Sequence, residues 1–422
     1  MARNITIDID NLNLKGEGTG EYKGNQITVD FGYPGDRVVA RLFGRGKAKA
    51  ETILKPSSYR SSPPCSAFSI CGSCRWQGIS YKAQLDFKAE RIERIFGIKA
   101  PVLPSPRIWY YRNRMDYTVG REAIGMRIYR TYYKVAKARR CLLQSEEGNE
   151  IIRRSEIFFK NKKLKPYNLR SHEGFLRYIV VREGKFTGDR LVTVVTSEGE
   201  FPLEEYYNEI EDISSNVIWA VNAGMSDVSQ GEIRKKIGNS YLNEKISNIN
   251  FKIPAFSFFQ TNSYQAENLV DIAVDKAELD GSEVAADLYS GVGTFSFALA
   301  RKVDKVFGIE EDVEGVKAAE QNAELNDIKN VRFVSTKAEE GMSDLDEIDV
   351  ALLDPPRAGV HKKLIKALLE SQPEKIIYIS CNPVTQAEDI KKLKGYKLEE
   401  IIPIDMFPHT PHVENIAVLK RI

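Results

Sequence analysis

The sequence predicts a multidomain α/β protein with a small N-terminal β-barrel, a central α+β domain and a C-terminal doubly wound α/β domain. At 422 residues the chain exceeds the size of a single hydrophobic core. Strand-like and helix-like runs alternate through its last third, which is typical of a parallel sheet. Charge is segregated as well, because residues 51–250 carry a net charge of +10 and residues 251–422 a net charge of −10. We therefore expect domains at residues 1–56, 57–250 and 251–422.

The first domain, residues 1–56, has the pattern of short strands joined by glycine-rich turns. Strands are predicted at 27–31 and 37–42, and the turn between them contains both Pro34 and Gly35. A small, OB-like barrel fits this pattern, and barrels of this size often bind single-stranded nucleic acid. The segment resembles a TRAM domain, an RNA-binding barrel that is attached to RNA-modifying enzymes.

Four of the five cysteines fall in the central domain, residues 57–250. Cys65, Cys71 and Cys74 are clustered, and Cys141 follows 67 residues after Cys74. In a chain without an export signal, clustered cysteines are more often metal ligands than disulfides. Four thiolates suit either zinc or an iron–sulfur cluster, and the spacing does not choose between them. The alternative is a set of unrelated buried thiols.

The same domain contains the most basic stretch of the chain. Residues 107–170 hold 17 Lys and Arg against 6 Asp and Glu, with aromatic residues interleaved at 109–111 and 129–133. Bases stack on aromatic rings and on guanidinium planes, while Lys and Arg bind phosphates. The stretch as a whole therefore predicts a nucleic-acid-binding surface, although any single member is more often part of a solvated strand face or a core aromatic residue.

The last domain, residues 251–422, is predicted to contain a helix at 267–280 and then a parallel sheet. The expected strands are 284–288, 305–309, 331–335, 350–353 and 376–380, and a final hairpin of 398–402 with 416–420 closes the sheet. The first strand-to-helix turn, Asp287–Phe295, contains Gly291 and Gly293, which let the backbone approach a ligand closely. Glu310 ends the second strand, where an acid can hold ribose hydroxyls. The turn lacks the third glycine of an NAD site, which favours S-adenosylmethionine in a Rossmann-like domain.

Three further residues stand at predicted strand ends. Asp354 ends the fourth strand and Cys381 follows the fifth, directly before Asn382 and Pro383. Glu414 precedes the last strand and is a candidate general base at the rim of the sheet. Ligands of open α/β sheets bind at the carboxyl ends of the strands, so Cys381 is expected beside a crevice, where it could act as a nucleophile. Taken alone, each of these residues is more often an ordinary core or surface side chain.

Taken together, five motifs in this order closely resemble the RNA uracil-C5 methyltransferases, which form 5-methyluridine. The motifs are Phe259–Asn262, Asp287–Phe295, Asp354–Arg357, Ser380–Pro383 and Phe407–Glu414. With the TRAM-like start and the four cysteines, the resemblance covers the whole chain. It is greatest to the members that combine a TRAM domain with a [4Fe–4S] cluster, including the archaeal enzymes that act on the T-loop uridine of tRNA.

The resemblance implies a role for each matching residue. It implies that Cys381 is the nucleophile and Glu414 the base. It implies that S-adenosylmethionine is contacted at Gln260, Tyr289, Gly291, Gly293, Thr294, Glu310 and Asp354. It also implies that Cys65, Cys71, Cys74 and Cys141 hold a [4Fe–4S] cluster. The segment 337–339 departs from the pattern of relatives, which often place an amide or an acid there to contact adenine.

These residue types suit the chemistry. C5 of uracil becomes nucleophilic only after a thiolate has added to C6, and a base must then remove the C5 proton so that the thiolate can leave. The uridine has to be flipped out of its stack to reach both groups. The expected partner is RNA, with tRNA favoured and large-subunit rRNA as the alternative. Two other hypotheses are a non-catalytic RNA-binding or redox-sensing iron–sulfur protein and a cytosine-C5 methyltransferase, but the paired Cys381 and Glu414 motifs favour the uracil enzymes.

Composition excludes a membrane protein of the helical kind. No apolar run approaches the ~20 residues of a transmembrane helix, and the first residues contain no apolar signal core. A cytoplasmic location is therefore expected. A monomer without an obligate protein partner is expected as well.

Overall fold

The structure, a computed structural model, describes residues 3–138, 140–345 and 347–422. The strands in these residues form four sheets. In chain order the strands are β1 (Asn4–Asp8), β2 (Asn11–Leu12), β3 (Gly18–Tyr22), β4 (Asn25–Asp30), β5 (Arg37–Gly44), β6 (Lys47–Lys55), β7 (Arg114–Val119), β8 (Ile124–Gly125), β9 (Leu176–Glu183), β10 (Arg190–Thr196), β11 (Asn216–Val221), β12 (Glu232–Ile237), β13 (Tyr241–Ile246), β14 (Ile249–Pro254), β15 (Val284–Leu288), β16 (Lys305–Glu310), β17 (Val331–Ser335), β18 (Val350–Leu353), β19 (Lys375–Ser380), β20 (Tyr396–Ile404) and β21 (Glu414–Arg421). The helices are α1 (Tyr81–Phe96), α2 (Glu146–Asn161), α3 (Leu203–Ile210), α4 (Ser263–Asp275), α5 (Thr294–Ala300), α6 (Val313–Leu325), α7 (Ala338–Ser343), α8 (Lys362–Ser371) and α9 (Pro383–Ile390).

The N-terminal sheet has the strand order β1-β5-β6-β4-β3-β2. Alternate residues of β1 are buried, which is the period expected of a strand with one face in a core. Ile5 and Ile7 of β1 pack there against Val29 of β4 and Val38 of β5. The predicted strands at 27–31 and 37–42 correspond to β4 and β5 within a few residues.

The central sheet is mixed, with the order β12-β11-β10-β9-β7-β8, and β10 and β11 are its parallel pair. Helices α2 and α3 belong to its hydrophobic core, where Phe158 and Tyr206 pack with Val194 and Trp219. Helix α1 begins at the N-cap Ser80, whose side chain accepts a hydrogen bond from the Ala83 N–H, and it ends at Gly97 in a left-handed conformation.

The C-terminal sheet has seven strands in the order β17-β16-β15-β18-β19-β21-β20. The first five are parallel to one another, while β21 and β20 run antiparallel and form the predicted closing hairpin. Ile377 and Ile379 face one hydrophobic core, and Ile376 and Tyr378 face the other, so both faces of the sheet are covered. The predicted strands and their order along the chain are confirmed.

The predicted helix at 267–280 is about four residues too far along the chain. Helix α4 begins after Asn262, whose side chain caps it by accepting from the Gln265 N–H, and it ends at Asp275. The apolar spacing misled the prediction at its end, because Leu279 packs against the same core from beyond the helix.

Among the described residues, no helix combines the length and the apolar character that crossing a bilayer requires.

Candidate active site

Cys381 lies directly after β19, at the carboxyl edge of the parallel strands. It is half-buried, and it lines a cavity of about 560 Å³. Local hydrogen bonds fix the turn that presents it, because Ser380 Oγ accepts from the Asn382 N–H at 3.1 Å and Asn382 Nδ2 donates to the Arg357 carbonyl at 3.1 Å. Pro383 then opens α9, so the strand cannot continue past the cysteine.

Glu414 begins β21, the neighbour of β19. The register pairs Ser380 with Asn415, so Cys381 and Glu414 occupy the same end of two adjacent strands although 33 residues separate them in sequence. The Glu414 side chain is buried rather than solvated at a rim, with 4% of the residue exposed. Burial and the nearby Asp354 carboxylate raise the pKa of Glu414 well above its usual range, and the Arg357 guanidinium opposes this.

Arg357 is the cation beside both groups. Burial and the Glu414 carboxylate raise the pKa of the Cys381 thiol, while Arg357 lowers it through a hydrogen bond and its charge. One guanidinium nitrogen of Arg357, Nη2, also lies 3.1 Å from His412 Nδ1. Burial and the positive charge of Arg357 lower the pKa of His412 to about 3, so the imidazole is neutral and accepts this hydrogen bond.

Distant parts of the chain complete the wall of the Cys381 cavity. Four parts of the chain line it together, namely the connection between β2 and β3, the segment around α1, the central segment at Tyr129 and the strand ends near Cys381: Lys15, Glu17, Arg75, Arg91, Tyr129, Arg357, Cys381 and His412 among them. Arg91 donates to the Pro411 carbonyl at 2.9 Å, and its buried Nε has no hydrogen-bond partner. The sequence prediction did not assign Arg75, Arg91 or Tyr129 to this site, because only tertiary packing brings them there.

A second group of predicted residues meets at the ends of β15, β16 and β18. Gln260 donates from Nε2 to Asp354 Oδ2 at 2.9 Å. Burial and repulsion from Asp287 raise the pKa of Asp354. Burial also raises the pKa of Asp287 to about 7, against a hydrogen bond from Ser296. Since Asp287 is fully buried and its Oδ1 has no partner, the carboxylate is an acceptor in need of a cationic or N–H donor.

The glycine turn lies beside these acids. Tyr289, Gly291 and Gly293 have φ values of 72°, 54° and 93°, so this turn uses the left-handed region where glycine is favoured. Glu310 Oε2 accepts from the Gly291 N–H at 2.9 Å, and α5 begins at Thr294. Burial raises the pKa of Tyr289 to about 12, and nearby carboxylates, among them Glu339, add to the shift.

This donor set fits S-adenosylmethionine. The unpartnered buried oxygen of Asp287 and the Asp354 carboxylate suit a cationic ligand, and the exposed edge of the glycine turn leaves room at Gly291, where an added Cβ would meet no atom within 4 Å. The structure therefore brings together Gln260, Tyr289, Gly291, Gly293, Thr294, Glu310 and Asp354 as neighbours of one edge, while their individual contacts with the methyl donor stay predictions.

The four cysteines of the central segment line one cavity of about 110 Å³. Burial raises the pKa of Cys65, Cys74 and Cys141, and the neighbouring thiols add to each shift. The chemistry of this donor set fits a group held by four thiolates. Within the described part of the chain, however, no three histidine, cysteine, aspartate or glutamate side chains stand close enough together to hold a metal ion. A metal centre would have to draw the thiols of Cys65, Cys71, Cys74 and Cys141 together.

Comparisons with known proteins agree with this geometry. Residues 224–422 match the family model described as tRNA (Uracil-5-)-methyltransferase. The chain is 41% identical to the tRNA (uracil(54)-C(5))-methyltransferase of Pyrococcus horikoshii over 93% of this chain and 95% of that protein. It is 36% identical to the 23S rRNA (uracil(747)-C(5))-methyltransferase of the same organism, over 94% of this chain and 95% of that one.

The fold is likewise that of a solved relative. The crystal structure of Pyrococcus abyssi tRNA (uracil-54, C5)-methyltransferase in complex with S-adenosyl-L-homocysteine matches with a TM-score of 0.85 and 35% identity, covering 98% of this chain and 100% of that one. Identity of this extent along nearly the whole chain, together with Cys381 beside Glu414, shows that the protein belongs to the S-adenosylmethionine-dependent RNA (uracil-5-)-methyltransferase family.

Proposed function

We propose that the protein transfers a methyl group from S-adenosylmethionine to C5 of uridine 54 in tRNA. The observation that carries the proposal is the placement of Cys381 and Glu414 at the same end of neighbouring strands, with Arg357 near enough to lower the pKa of both. The choice of tRNA rests on the names of the most similar relatives. The relative that is named for 23S rRNA makes an rRNA uridine the second candidate.

Each side chain has a defined task in this reaction. The Cys381 thiolate adds to C6 of the flipped uridine, which places the electron pair on C5 as an enolate-like carbanion. When bound, S-adenosylmethionine supplies the electrophilic methyl group that C5 takes up. Glu414 then removes the C5 proton, the C5–C6 double bond re-forms, and the thiolate leaves C6. A carboxylate with a raised pKa is a stronger base for that proton, and Glu414 has such a pKa.

The methyl donor is proposed to lie along Gln260, Tyr289, Gly291, Gly293, Thr294, Glu310 and Asp354. In this arrangement Glu310 holds ribose hydroxyls, as acids at the end of the second strand commonly do. Gln260 donates a hydrogen bond to Asp354, and Asp354 lies near the proposed base, because its charge raises the pKa of Glu414.

Release of tritium from uridine C5 tests the reaction and the substrate at once. Unmodified tRNA and 23S rRNA transcripts labelled at C5 are incubated separately with the protein and S-adenosylmethionine, and a Cys381→Ala variant serves as the control. We expect release from tRNA only, and none from a tRNA transcript with cytidine at position 54. Release from rRNA only would keep the chemistry and replace the substrate, and no release from either RNA would refute the activity.

The domains are proposed to divide this work. Residues 1–56 form a TRAM-like RNA-binding barrel, residues 57–250 a basic RNA-binding domain, and residues 251–422 the catalytic domain. The support is the charge distribution and the presence of Lys15, Arg75 and Tyr129 in the wall of the Cys381 cavity, which would surround a flipped nucleotide with residues of all three segments.

The four cysteines that line the central cavity are proposed to hold a [4Fe–4S] cluster, with zinc as the alternative. Protein purified without oxygen should contain about four iron and four sulfide per chain, and the Cys74→Ser variant should lose most of both. Cys381→Ala is the matched control and should keep the metal. Zinc without iron in the purified protein would replace the cluster with a zinc site, and no bound metal would refute both.

A further inference from the structure

The central segment contains a second large cavity, of about 770 Å³. Among the described residues, its lining shares no member with the lining of the Cys381 cavity. It is formed by the end of β7, by the segment 127–135, by residues 165–169 and by the start of β9. Its lining contains none of the residues that are assigned to catalysis, to the methyl donor or to the cysteine cluster.

Its lining is cationic and aromatic. Five of its charged side chains are basic and two are acidic: Arg121, Arg127, Lys134, Lys165 and Arg177, and Glu122 and Asp227. Asp227 is already engaged, because it accepts from Arg127 Nη2 at 2.8 Å and from the Tyr178 hydroxyl. The cavity therefore has an excess of positive charge, which favours an anionic ligand.

Three tyrosines supply flat surfaces in the same cavity: Tyr133, Tyr167 and Tyr178. The Arg170 guanidinium stacks on the Tyr133 ring at 3.7 Å from its centroid, and the Arg177 guanidinium on the Tyr167 ring at 4.3 Å. Rings and guanidinium planes in such stacks are the surfaces on which nucleobases pack.

Arg177 gives an independent indication of a ligand. Only 3% of it is exposed, and its Nη1 and Nη2 donate to the carbonyls of Asn222, Gly224 and Ser226. These partners are neutral, and the buried Nε has no hydrogen-bond partner at all. A buried guanidinium that keeps an unused donor beside an open cavity is costly unless an acceptor from a ligand occupies that position.

The two cavities are joined by one short segment. Arg127 and Val135 pair as an isolated β-bridge, and both line the second cavity, as do Ile128 and Tyr133. Tyr129, in the middle of this segment, lines the Cys381 cavity. An RNA chain whose target uridine enters the first cavity would therefore pass the second within a few nucleotides.

We propose that the second cavity binds an unpaired nucleotide of the substrate RNA other than the target uridine. Its base stacks against Tyr133 or Tyr167, and its phosphate is held by Lys134 and Lys165. The Arg177 Nε is the donor that reads an acceptor on the base. The inference deepens the proposed function, on which it rests for RNA being the substrate.

Binding of an unmodified tRNA transcript to the full chain, measured over a series of salt concentrations, tests the proposal. Tyr133→Ala should weaken binding by roughly ten-fold through lost stacking. Lys165→Ala should reduce the slope of log K against log salt by about one. In both variants KM for RNA should rise, while KM for S-adenosylmethionine should stay unchanged.

Matched controls come from the C-terminal segment, outside the predicted RNA-binding surface. Leu325, at the end of α6, is 44% exposed, and the Lys329 side chain is 83% exposed. Leu325→Ala and Lys329→Ala should bind tRNA as the wild type does. Equal binding by Tyr133→Ala and Leu325→Ala would overturn the proposal.

A second measurement does not depend on how the variants fold. Transcripts substituted with 5-iodouridine are irradiated with the wild-type protein, and the crosslinked peptides are mapped. Crosslinks at Tyr133 or Tyr167 support the site, and crosslinks confined to the Cys381 cavity overturn it. If the wild type releases no tritium but Tyr133→Ala still loses affinity, the proposed function fails and the RNA site stands. If tritium is released while all four variants bind alike, the function stands and the site fails.

Discussion

Burial and the Glu414 carboxylate both raise the pKa of the Cys381 thiol, which disfavours the thiolate form that the proposed reaction needs. Arg357 is the group that counteracts this, through a hydrogen bond and its positive charge. Glu414, the proposed base, has the opposite requirement, because a higher pKa makes a carboxylate a stronger base, and burial raises the pKa of Glu414. The charge of Arg357 lowers the pKa of both the Cys381 thiol and the Glu414 carboxyl group, and so favours the ionised form of each.

Replacing Glu414 separates the two halves of the reaction. Glu414→Gln keeps the size of the side chain but cannot take the C5 proton, so the Cys381–RNA adduct should accumulate after methyl transfer. Product formation should fall by at least about 100-fold, and a protein–RNA band should persist on a denaturing gel. Glu399→Gln, at an exposed site, is the control. Turnover of Glu414→Gln at the wild-type rate would exclude Glu414 as the base.

Arg357 should set the acidic limb of the pH profile. Its charge lowers the pKa of Cys381, so Arg357→Met should raise that pKa and shift the acidic limb of kcat/KM to higher pH. Activity is then lost first at low pH, where the thiol stays protonated. Arg357→Lys keeps the positive charge, so its acidic limb should lie close to that of the wild type. Arg332→Met, at an exposed position of β17, should leave the pH profile unchanged. An unshifted limb in Arg357→Met would show that another group generates the thiolate.

At the scale of single elements, the parallel sheet was predictable and the central sheet was not. The inner strands β15, β18 and β19 of the parallel sheet are short apolar runs that are buried on both faces, so the local pattern is sufficient to predict them. The central sheet joins strands that are far apart in sequence, such as β7 with β9. Its order depends on tertiary packing, which no local pattern encodes. For the same reason the motifs around Cys381 and Glu414 were found, while Arg75, Arg91 and Tyr129 were missed.

The segment that leads into α4 is held by the central sheet. Asn113, next to the start of β7, donates from Nδ2 to the Gln260 carbonyl at 2.7 Å and to Ser263 Oγ at 2.8 Å. Its backbone N–H donates to the Thr261 carbonyl at 2.9 Å. From β9, the buried Arg182 donates to the Ala255 carbonyl at 3.0 Å. The predicted RNA-binding domain thus positions Gln260, a predicted contact of the methyl donor.

Asn113→Asp should weaken binding of the methyl donor although residue 113 is not one of its predicted contacts. The carboxylate cannot donate to the Gln260 carbonyl and repels it, and a lost buried hydrogen bond of this kind costs about 1–3 kcal/mol. We expect KM for S-adenosylmethionine to rise by roughly ten-fold, with a much smaller change in RNA affinity. Asn326→Asp is matched, because Asn326 also donates to a backbone carbonyl, that of Asn250, away from Gln260. Equal KM values in both variants would assign Asn113 a purely structural role.

At the scale of the whole molecule, the segment before Glu414 forms hydrogen bonds that connect the C-terminal domain to the central domain. Residues 405–413 contact the segment around α1 at several points. Gln84 Oε1 accepts from the His409 N–H at 2.7 Å, Tyr111 donates to the Pro408 carbonyl at 3.2 Å, and Trp76 donates its backbone N–H to the His409 carbonyl at 2.9 Å. The position of Glu414, the proposed base, therefore depends on a region outside the C-terminal sheet.

A buried ion pair between Lys88 of α1 and Asp405 also joins these two segments. Lys88 Nζ lies 2.6 Å from Asp405 Oδ1, and both side chains are fully buried. Burial lowers the pKa of Lys88, and the Asp405 carboxylate opposes the shift. Because the pair is enclosed, removing one partner leaves an uncompensated charge, which typically costs about 3–5 kcal/mol.

Lys88→Met should therefore lower the free energy of unfolding by several kcal/mol, on the order of that cost, and reduce methyl transfer by displacing the segment that leads to Glu414. Lys82→Met is the matched control, because Lys82 lies on the same helix and its side chain is 84% exposed. Its pair with Asp86 is a surface pair, worth about 1 kcal/mol or less. The double variant Lys88→Met/Asp405→Leu removes both charges and should recover stability but not activity, since the carboxylate that organises residues 405–407 is gone. Wild-type stability in Lys88→Met would show that the Asp405 carboxylate does not need Lys88 as a partner. The position of Glu414 would then have to depend on the uncharged hydrogen-bonding groups of residues 408–411.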